Sequence, residues 1–343
     1  MKLYEITEPK GIDSLKLTEQ PTPKPGPGEV LVRVRATSLN FRDLAAIKGN
    51  LPMMKLPLIP VSDGAGDVVE VGQGVTTLKK DDRVAAIFTQ RWLAGPPTAG
   101  TYSTALGGGI DGMLAEYVVL REDGFVQIPD YLTYEEAASL PCAAVTSWNA
   151  LVTEGHLKAG DSVLVMGTGG VSIFALQFAK MHGARVIATS SSDAKLKRLK
   201  DLGAAEVINY KTTPEWDQRV LELTTGLGVD HVVEIGGAGT FSRSINAVKT
   251  GGTISLIGIL SAAGQIDPMT VLFKNARMQG IQVGSREMLE ELIRAMAVSQ
   301  VHPVIDKIFP FEQAREAYRY LESGAHFGKV CISISTQTGT TIS

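Results

Sequence analysis

The chain is short of cysteine: its 343 residues include only two, Cys142 and Cys331. They stand far apart in apolar surroundings and give no disulfide framework, which points to a reducing compartment. Net charge is also small. The 33 Lys and Arg against 36 Asp and Glu leave a formal charge of −3, with no basic field for a phosphate backbone and no polybasic face for anionic lipid. Long apolar runs are missing: none approaches the roughly 20 residues of a membrane helix, and the opening MKLYEITEPKG lacks the apolar core of a signal peptide. His156, His182, His231, His302 and His326 are scattered without metal-ligand spacing. A cytoplasmic protein with no nucleic-acid or membrane partner is expected.

What the chain has in quantity is glycine, 36 residues, within an ordinary globular composition of 44% apolar and 20% charged residues. Its length exceeds what one core usually serves, so two domains are expected. Residues 1–126 read as short strands broken by turns. Residues 29–40 alternate polar and apolar, 64–72 and 82–88 are similar, and Pro21, Pro23, Pro25 and Pro27 precede them. This predicts a β-rich domain of barrel or sandwich type. Over 127–285 the rhythm changes. DSVLVMG, ARVIATS, EVINY, DHVVEIG, GTISLIG and GIQVG read as strands, separated by helical segments such as VSIFALQFAKMHG and DAKLKRLKDLG. Val/Ile/Leu strands alternating with helices predict α/β structure, a doubly wound parallel sheet covered on both faces. Residues 286–343 return to mixed structure, with a helix near 288–297, AREAYRYLESG and the strand KVCISI, and are expected to rejoin the first domain. The polar tail TQTGTTIS reads as frayed, and the Gly/Pro-rich stretch 93–112 as a long surface loop or lid.

The strongest motif is VLVMGTGGVSIFALQFAK. Gly167, Gly169 and Gly170 follow a strand and open a helix, the context a dinucleotide fingerprint requires. Gly167 permits the tight turn, and Gly169 admits a pyrophosphate to the backbone. The helix from Gly170 and Val171 offers free N–H groups and its positive dipole end. Ser172 stands at the third glycine position, where close helix–strand packing tolerates a small residue. At the tip of the next strand an NAD site places a carboxylate for the ribose hydroxyls; here stand Ser190, Ser191 and Ser192. Asp193 reads as the N-cap of the following helix. Hydroxyls with Lys195 suit a 2′-phosphate, which a carboxylate would repel, so NADPH is expected over NADH. Lys195 also fits a solvated helix face shared with Lys197, Arg198 and Lys200.

In chain order, EVLVRVRATSLNFRD, DGAGDVVEVGQGV, DDRV, GTGGVS, GVDHVVEIGG, GGTISLIG and HFGKV carry a resemblance over almost the whole length. The chain resembles the medium-chain dehydrogenase/reductase superfamily, and most of all its zinc-free branch of quinone oxidoreductases and enoyl reductases. The resemblance implies a Rossmann dinucleotide domain and a GroES-like catalytic domain in two parts. It implies Ser190 in place of the ribose acid and Ser191, Lys195 and Tyr210 around the 2′-phosphate. Thr146 is implied near the nicotinamide, with Gly236, Gly258, Gly284 and Ser285 at the carboxyl ends of later strands. It also implies a homodimer, joined through the strand GIQVG and its neighbour.

Zinc-bearing members of that superfamily hold a catalytic ion with Cys, His and a second Cys or Asp, often with a Glu nearby. The resemblance places Asn40, Ser62 and Asp63 at the first, His and Glu positions, and only Cys142 keeps a ligand type; no zinc is expected. A structural zinc is not expected either, because 92–112 lacks four clustered cysteines. Without a Lewis acid, alcohol chemistry loses its main electrophile. A conjugated C=C–C=O substrate asks only for one or two donors at the developing oxyanion. The expected activity is therefore NADPH-dependent reduction of a small electrophile: an enone, quinone or enoyl thioester. An alcohol dehydrogenase or ketone reductase with a weak metal on Cys142 and Asp63, and a non-enzymatic cofactor-binding relative, are the alternatives. Asn40, Asp63 and Tyr102 are the candidate catalytic residues. The resemblance sets Asn40 against the nicotinamide ribose, although the residue also fits a turn that ends a strand. Arg42 and Asp43 read as a structural ion pair, and Tyr102 with Trp92 either lines a substrate pocket or anchors the loop.

Overall fold

The computed structural model of the chain describes residues 1–51, 54–258 and 267–334, and the polar tail lies outside them. The chain divides into two compact units, Met1–Cys142 with Ser285–Ser343, and Ala143–Gly284.

The first unit opens with β1 (Lys2–Ile6) and β2 (Leu15–Glu19), an antiparallel ribbon. Then come β3 (Glu29–Leu39), α1 (Phe41–Ile47), β4 (Asp63–Val71), β5 (Arg83–Ala86), β6 (Tyr117–Arg121), β7 (Phe125–Gln127) and α2 (Tyr134–Ala138). β3 is the spine. Val30, Val32, Val34 and Ala36 are buried, and β3 pairs antiparallel with β4, β6 and the returning C-terminal strand. The helix α2 explains why this unit continues past residue 126 to Cys142. Thr133 and Glu136 cap it reciprocally, and Ala137 and Ala138 pack on Ala36, Ala65 and Ala85 of the sheet. The stretch expected as a surface loop is only half one. Residues 93–100 are exposed, but Ala105 and Leu106 are buried, and a Cβ on Gly107 or Gly112 would strike the backbone of Val61.

The second unit runs α3 (Val145–Trp148), β8 (Ser162–Met166), α4 (Gly170–Met181), β9 (Arg185–Ser190), α5 (Asp193–Asp201), β10 (Glu206–Asn209) and α6 (Trp216–Leu223). It continues through β11 (Val229–Glu234), α7 (Ala238–Ala247), β12 (Val248–Leu256), α8 (Pro268–Lys274) and β13 (Arg277–Gly280). The strands are all parallel, in the order β10-β9-β8-β11-β12-β13. That is the doubly wound order with its switch point beside the first strand, where such sheets bind ligands at the carboxyl ends. Val163, Leu164 and Val165 are all fully buried, as a strand covered on both faces must be. The segment GIQVG is not a strand, contrary to expectation. The edge strand ends at Gly280; Ile281 still donates to Leu256 O at 2.9 Å, and the chain then leaves the sheet.

From Ser285 the chain belongs again to the first unit: α9 (Arg286–Ser299), β14 (Ile305–Pro310), α10 (Ala314–Glu322) and β15 (Lys329–Ser333). β15 joins β3 with Val330 opposite Leu39 and Cys331 opposite Ser38. Among the described residues no helix is long and apolar enough to cross a membrane.

Candidate active site

In the second unit, β8 ends at Met166 and the turn to α4 begins with Gly167, whose φ of 74° lies where a side chain is disfavoured. Gly169 has a φ of −75°, which any residue adopts, and a Cβ there would meet nothing within 4 Å. Its backbone therefore borders open space at the N-terminus of α4, where Gly170 and Val171 sit in the first turn and N–H groups point outward. Ser172, fully buried, donates through Oγ to Met166 O at 2.6 Å, so the side chain at the third glycine position ties helix to strand.

At the tip of β9, Ser190 is buried, and its Oγ accepts from Ser192 N–H at 3.3 Å. Ser192, not Asp193, caps α5. Its φ and ψ of −125° and 121° are extended, and its Oγ accepts from Lys195 N–H at 3.4 Å. Asp193 turns its carboxylate to Asn209 Nδ2 at 2.7 Å. Parallel pairing of β10 with β9 brings Asn209 opposite Ser190, and Tyr210 N–H donates to Ser190 O at 3.1 Å, so the exposed Tyr210 stands beside the serine tip. Ser190, Ser191, Lys195 and Tyr210 thus gather at one corner.

The later strand ends are shaped by packing. Glu234, fully buried and passed over in the sequence, accepts through Oε1 from Gly236 N–H (2.7 Å), Gly237 N–H (3.0 Å) and Thr240 Oγ1 (2.7 Å). A Cβ on Gly236 would strike Thr240, and one on Gly258 would strike Ile235 O, so both glycines answer to close approach within the fold. Thr146 is buried in α3. Gly284 closes this unit; Ser285, the first residue back in the other, spends its Oγ capping α9 by accepting from Met288 N–H at 3.2 Å.

In the first unit a buried polar cluster follows β3. Asn40 N–H donates to Asp43 Oδ2 at 2.8 Å, three residues on, which fixes the start of α1. Asn40 Oδ1 accepts from Lys329 Nζ at 2.5 Å, and the same ammonium donates to Leu39 O at 2.9 Å. Asn40 Nδ2 faces Ser62 Oγ and Ser38 O, each at 3.5 Å. Ser62 Oγ donates to Asp63 Oδ1 at 2.7 Å, and Asp63 Oδ2 accepts from Cys142 N–H at 3.1 Å. Ser62 and Asp63 are fully buried and Lys329 is 2% exposed. Burial pushes the Asp63 carboxyl up to about 6, against the pull of Lys329. It also raises Asp43, opposed by Arg42, and the Cys142 thiol.

Arg42 bridges Asp43 (3.2 Å) and Leu106 O (2.8 Å) and lies over the Phe88 ring, a structural role. Tyr102 stands outside the cluster. Its ring packs edge-on against Trp92, whose indole N–H donates to Gly95 O at 2.8 Å, so this pair anchors the loop. Of the three catalytic candidates, Asn40 and Asp63 meet through Ser62 and Tyr102 does not join them. The sequence reading missed Lys329; its only signal was a cation at the head of the otherwise apolar strand KVCISI.

These donors do not fit a catalytic zinc. An amide and a hydroxyl already donating to Asp63 replace two of the usual ligands, burial holds the remaining Cys142 thiol protonated beside Asp63, and an ammonium bonded to the amide repels a dication. Among the described residues no three His, Cys, Asp or Glu gather as a metal-binding group. The glycine turn of the second unit does fit a nicotinamide dinucleotide, which supplies or accepts hydride when bound.

Two family models match successive stretches: the alcohol dehydrogenase GroES-like domain over residues 26–130 and the zinc-binding dehydrogenase over 170–298. The chain is 46% identical over 336 residues to a zinc-type alcohol dehydrogenase-like protein of Schizosaccharomyces pombe, covering 95% of this chain and 97% of that one. It is 26% identical to the acryloyl-coenzyme A reductase of Sulfurisphaera tokodaii, over 97% and 99% of the two chains. A solved structure from Sinorhizobium meliloti 1021, provisionally an alcohol dehydrogenase, shares 44% identity over 93% and 94% of the chains, with a TM-score of 0.89. An NAD-dependent alcohol dehydrogenase shares 35% over 98% and 100%, with a TM-score of 0.90. A Rossmann-ordered sheet with its glycine turn, together with a GroES-like domain, defines a nicotinamide-dependent oxidoreductase. The chain belongs to the medium-chain dehydrogenase/reductase superfamily.

Proposed function

We propose that this oxidoreductase uses NADPH, without zinc, to deliver hydride to the activated C=C bond of a small electrophile: an enone, quinone or enoyl thioester. This would place it in the zinc-free quinone oxidoreductase and enoyl reductase branch. The observation that carries the reading is the hydrogen-bonded Lys329–Asn40–Ser62–Asp63 cluster, of which the resemblance sets Asn40, Ser62 and Asp63 at the positions where zinc-bearing relatives hold their ion. Conjugate addition spreads charge onto a carbonyl oxygen that one or two donors stabilise, whereas an alkoxide calls for a stronger electrophile. The likeness to an acryloyl-coenzyme A reductase supports it. In this reading Asn40 orients the nicotinamide ribose, and Asp63, held by Ser62, is a carboxyl that burial raises to about 6. A second reading, alcohol dehydrogenation, is favoured by the names of the S. pombe relative and of both solved structures. A panel of conjugated substrates and simple alcohols, with and without chelator, separates the two.

NADPH is preferred in this proposal because Ser190, Ser191, Lys195 and Tyr210 share one corner and the nearest acid, Asp193, is turned to Asn209. Thr146, Gly167, Gly169, Gly170, Val171, Gly236, Gly258 and Gly284 complete the cofactor's surroundings. We also propose a cytoplasmic homodimer. β13 is an edge strand, and Met278 on it and Leu272 and Phe273 of α8 are exposed, Phe273 by 78%.

A further inference from the structure

We propose that Lys329 is a positioning residue for Asn40: its ammonium dictates which way the carboxamide faces, and through it the orientation of the nicotinamide. The inference deepens the assignment of Asn40 to the nicotinamide ribose and rests on it. The two ends of a carboxamide have nearly the same shape, so only the partners decide its orientation. An ammonium has donors and no acceptor. The atom 2.5 Å from Lys329 Nζ is therefore the carbonyl Oδ1, and the NH2 group must face the other way. There it faces Ser62 Oγ and Ser38 O, both at 3.5 Å, long for hydrogen bonds, and it also donates toward the Asp63 carboxylate. The acceptor end of Asn40 is held tightly by Lys329, and its donor edge faces Ser38, Ser62 and Asp63, in a residue only 8% exposed.

Lys329 owes its own place to β15. The pairing of Val330 with Leu39 sets the lysine at the end of β3, where its second donation, to Leu39 O at 2.9 Å, pins it. The acidic neighbours Asp43 and Asp63 balance the buried charge. A charged donor on Oδ1 also polarises the amide, which makes Nδ2–H the better donor. The cluster is thus a cation that acts through an amide.

A double-mutant cycle on the full chain tests this: wild type, Asn40→Ala, Lys329→Met and the double variant, with Asn40→Asp beside them. Three quantities are read: the emission of bound NADPH, turnover of cyclohex-2-enone, and the thermal midpoint. Each single substitution should lower turnover about tenfold or more, the worth of one charge-assisted hydrogen bond, and should shift the emission in the same direction. The double variant should be no worse than Asn40→Ala alone. Asn40→Asp, which keeps an acceptor for Lys329 and loses the donor edge, should hold its thermal midpoint and lose turnover like Asn40→Ala. Losses that add in full, or a Lys329→Met that lowers only the thermal midpoint, would overturn the proposal. Should Lys329→Met fail to fold, Asn40→Asp decides: wild-type emission and turnover there overturn it. Asn40→Ala with unchanged emission and turnover is a separate failure, which removes the ribose assignment and the proposal with it. Emission needs no substrate, so the proposal is decided whatever the protein reduces.

Discussion

Ser172 Oγ lies 2.6 Å from the carbonyl oxygen of Met166 and donates to it from a fully buried position. A side chain therefore seals the contact between α4 and β8 where a third glycine would leave backbone against backbone. Ser172→Ala removes that bond at almost constant volume and should cost about 1–3 kcal/mol of stability, the price of a buried carbonyl losing its donor. Denaturant unfolding measures it. NADPH affinity should change little, because the hydroxyl faces the strand and not the open space at Gly169.

In the proposed reading, Lys195 and the serine tip of β9 set the preference for NADPH. Lys195→Ala should weaken NADPH roughly ten- to hundredfold and leave NADH nearly unchanged, since one charge-assisted phosphate contact is worth about 1.5–3 kcal/mol. Ser190→Asp should move the preference toward NADH. Titration of both cofactors into both variants checks this, and equal losses for the two would remove the 2′-phosphate assignment.

Burial raises the Asp63 carboxyl from an ordinary value of 3.8 to about 6. The folded chain therefore binds that proton more tightly than the unfolded chain does. The contribution of this group to stability is fully present below the unfolded value, falls as pH rises from about 4 to 6, and is flat above that. Relative to Asp63→Asn, the wild type should lose on the order of 3 kcal/mol over that span. Unfolding of both proteins at pH 4, 5, 6 and 7 reads the difference; a gap that widens in favour of the wild type as pH rises would contradict the placement of Asp63.

The proposed dimer would join through the edge of the parallel sheet. Met278 on β13 is 41% exposed and, among the described residues, pairs only with Ile254 of β12. Light scattering at micromolar concentration should give twice the chain mass. Met278→Asp, which sets a charge on an edge that would otherwise pair, should shift the protein toward monomer. A wild-type monomer would end the proposal.

The parts legible in the sequence were those whose cause is local. Gly167 needs positive φ, and Val163, Leu164 and Val165 need cover on both faces; both demands show within a few residues. The alternation of β3 and the apolar helix α4 are of the same kind. What escaped depends on distant pairing. Lys329 reads as an ordinary strand-end lysine until β15 is set against β3, and its partner Asn40 is 289 residues away. The helix α2 reads as the start of the α/β half, but its two alanines pack on the first sheet. Ala105 and Leu106 follow a Gly/Pro-rich run and look like loop, yet both are buried and the carbonyl of Leu106 accepts from Arg42. Ser192 and Asp193 are equally good cap formers, and only the backbone angles choose between them.

The measurement that tests the central claim most directly is elemental analysis of the purified protein combined with an NADPH-oxidation assay before and after chelation. The account predicts no stoichiometric zinc, full activity after chelator, reduction of cyclohex-2-enone, a quinone or an enoyl thioester, and poor oxidation of simple alcohols. One zinc per chain, with alcohol oxidation that disappears when the metal is removed, would contradict it.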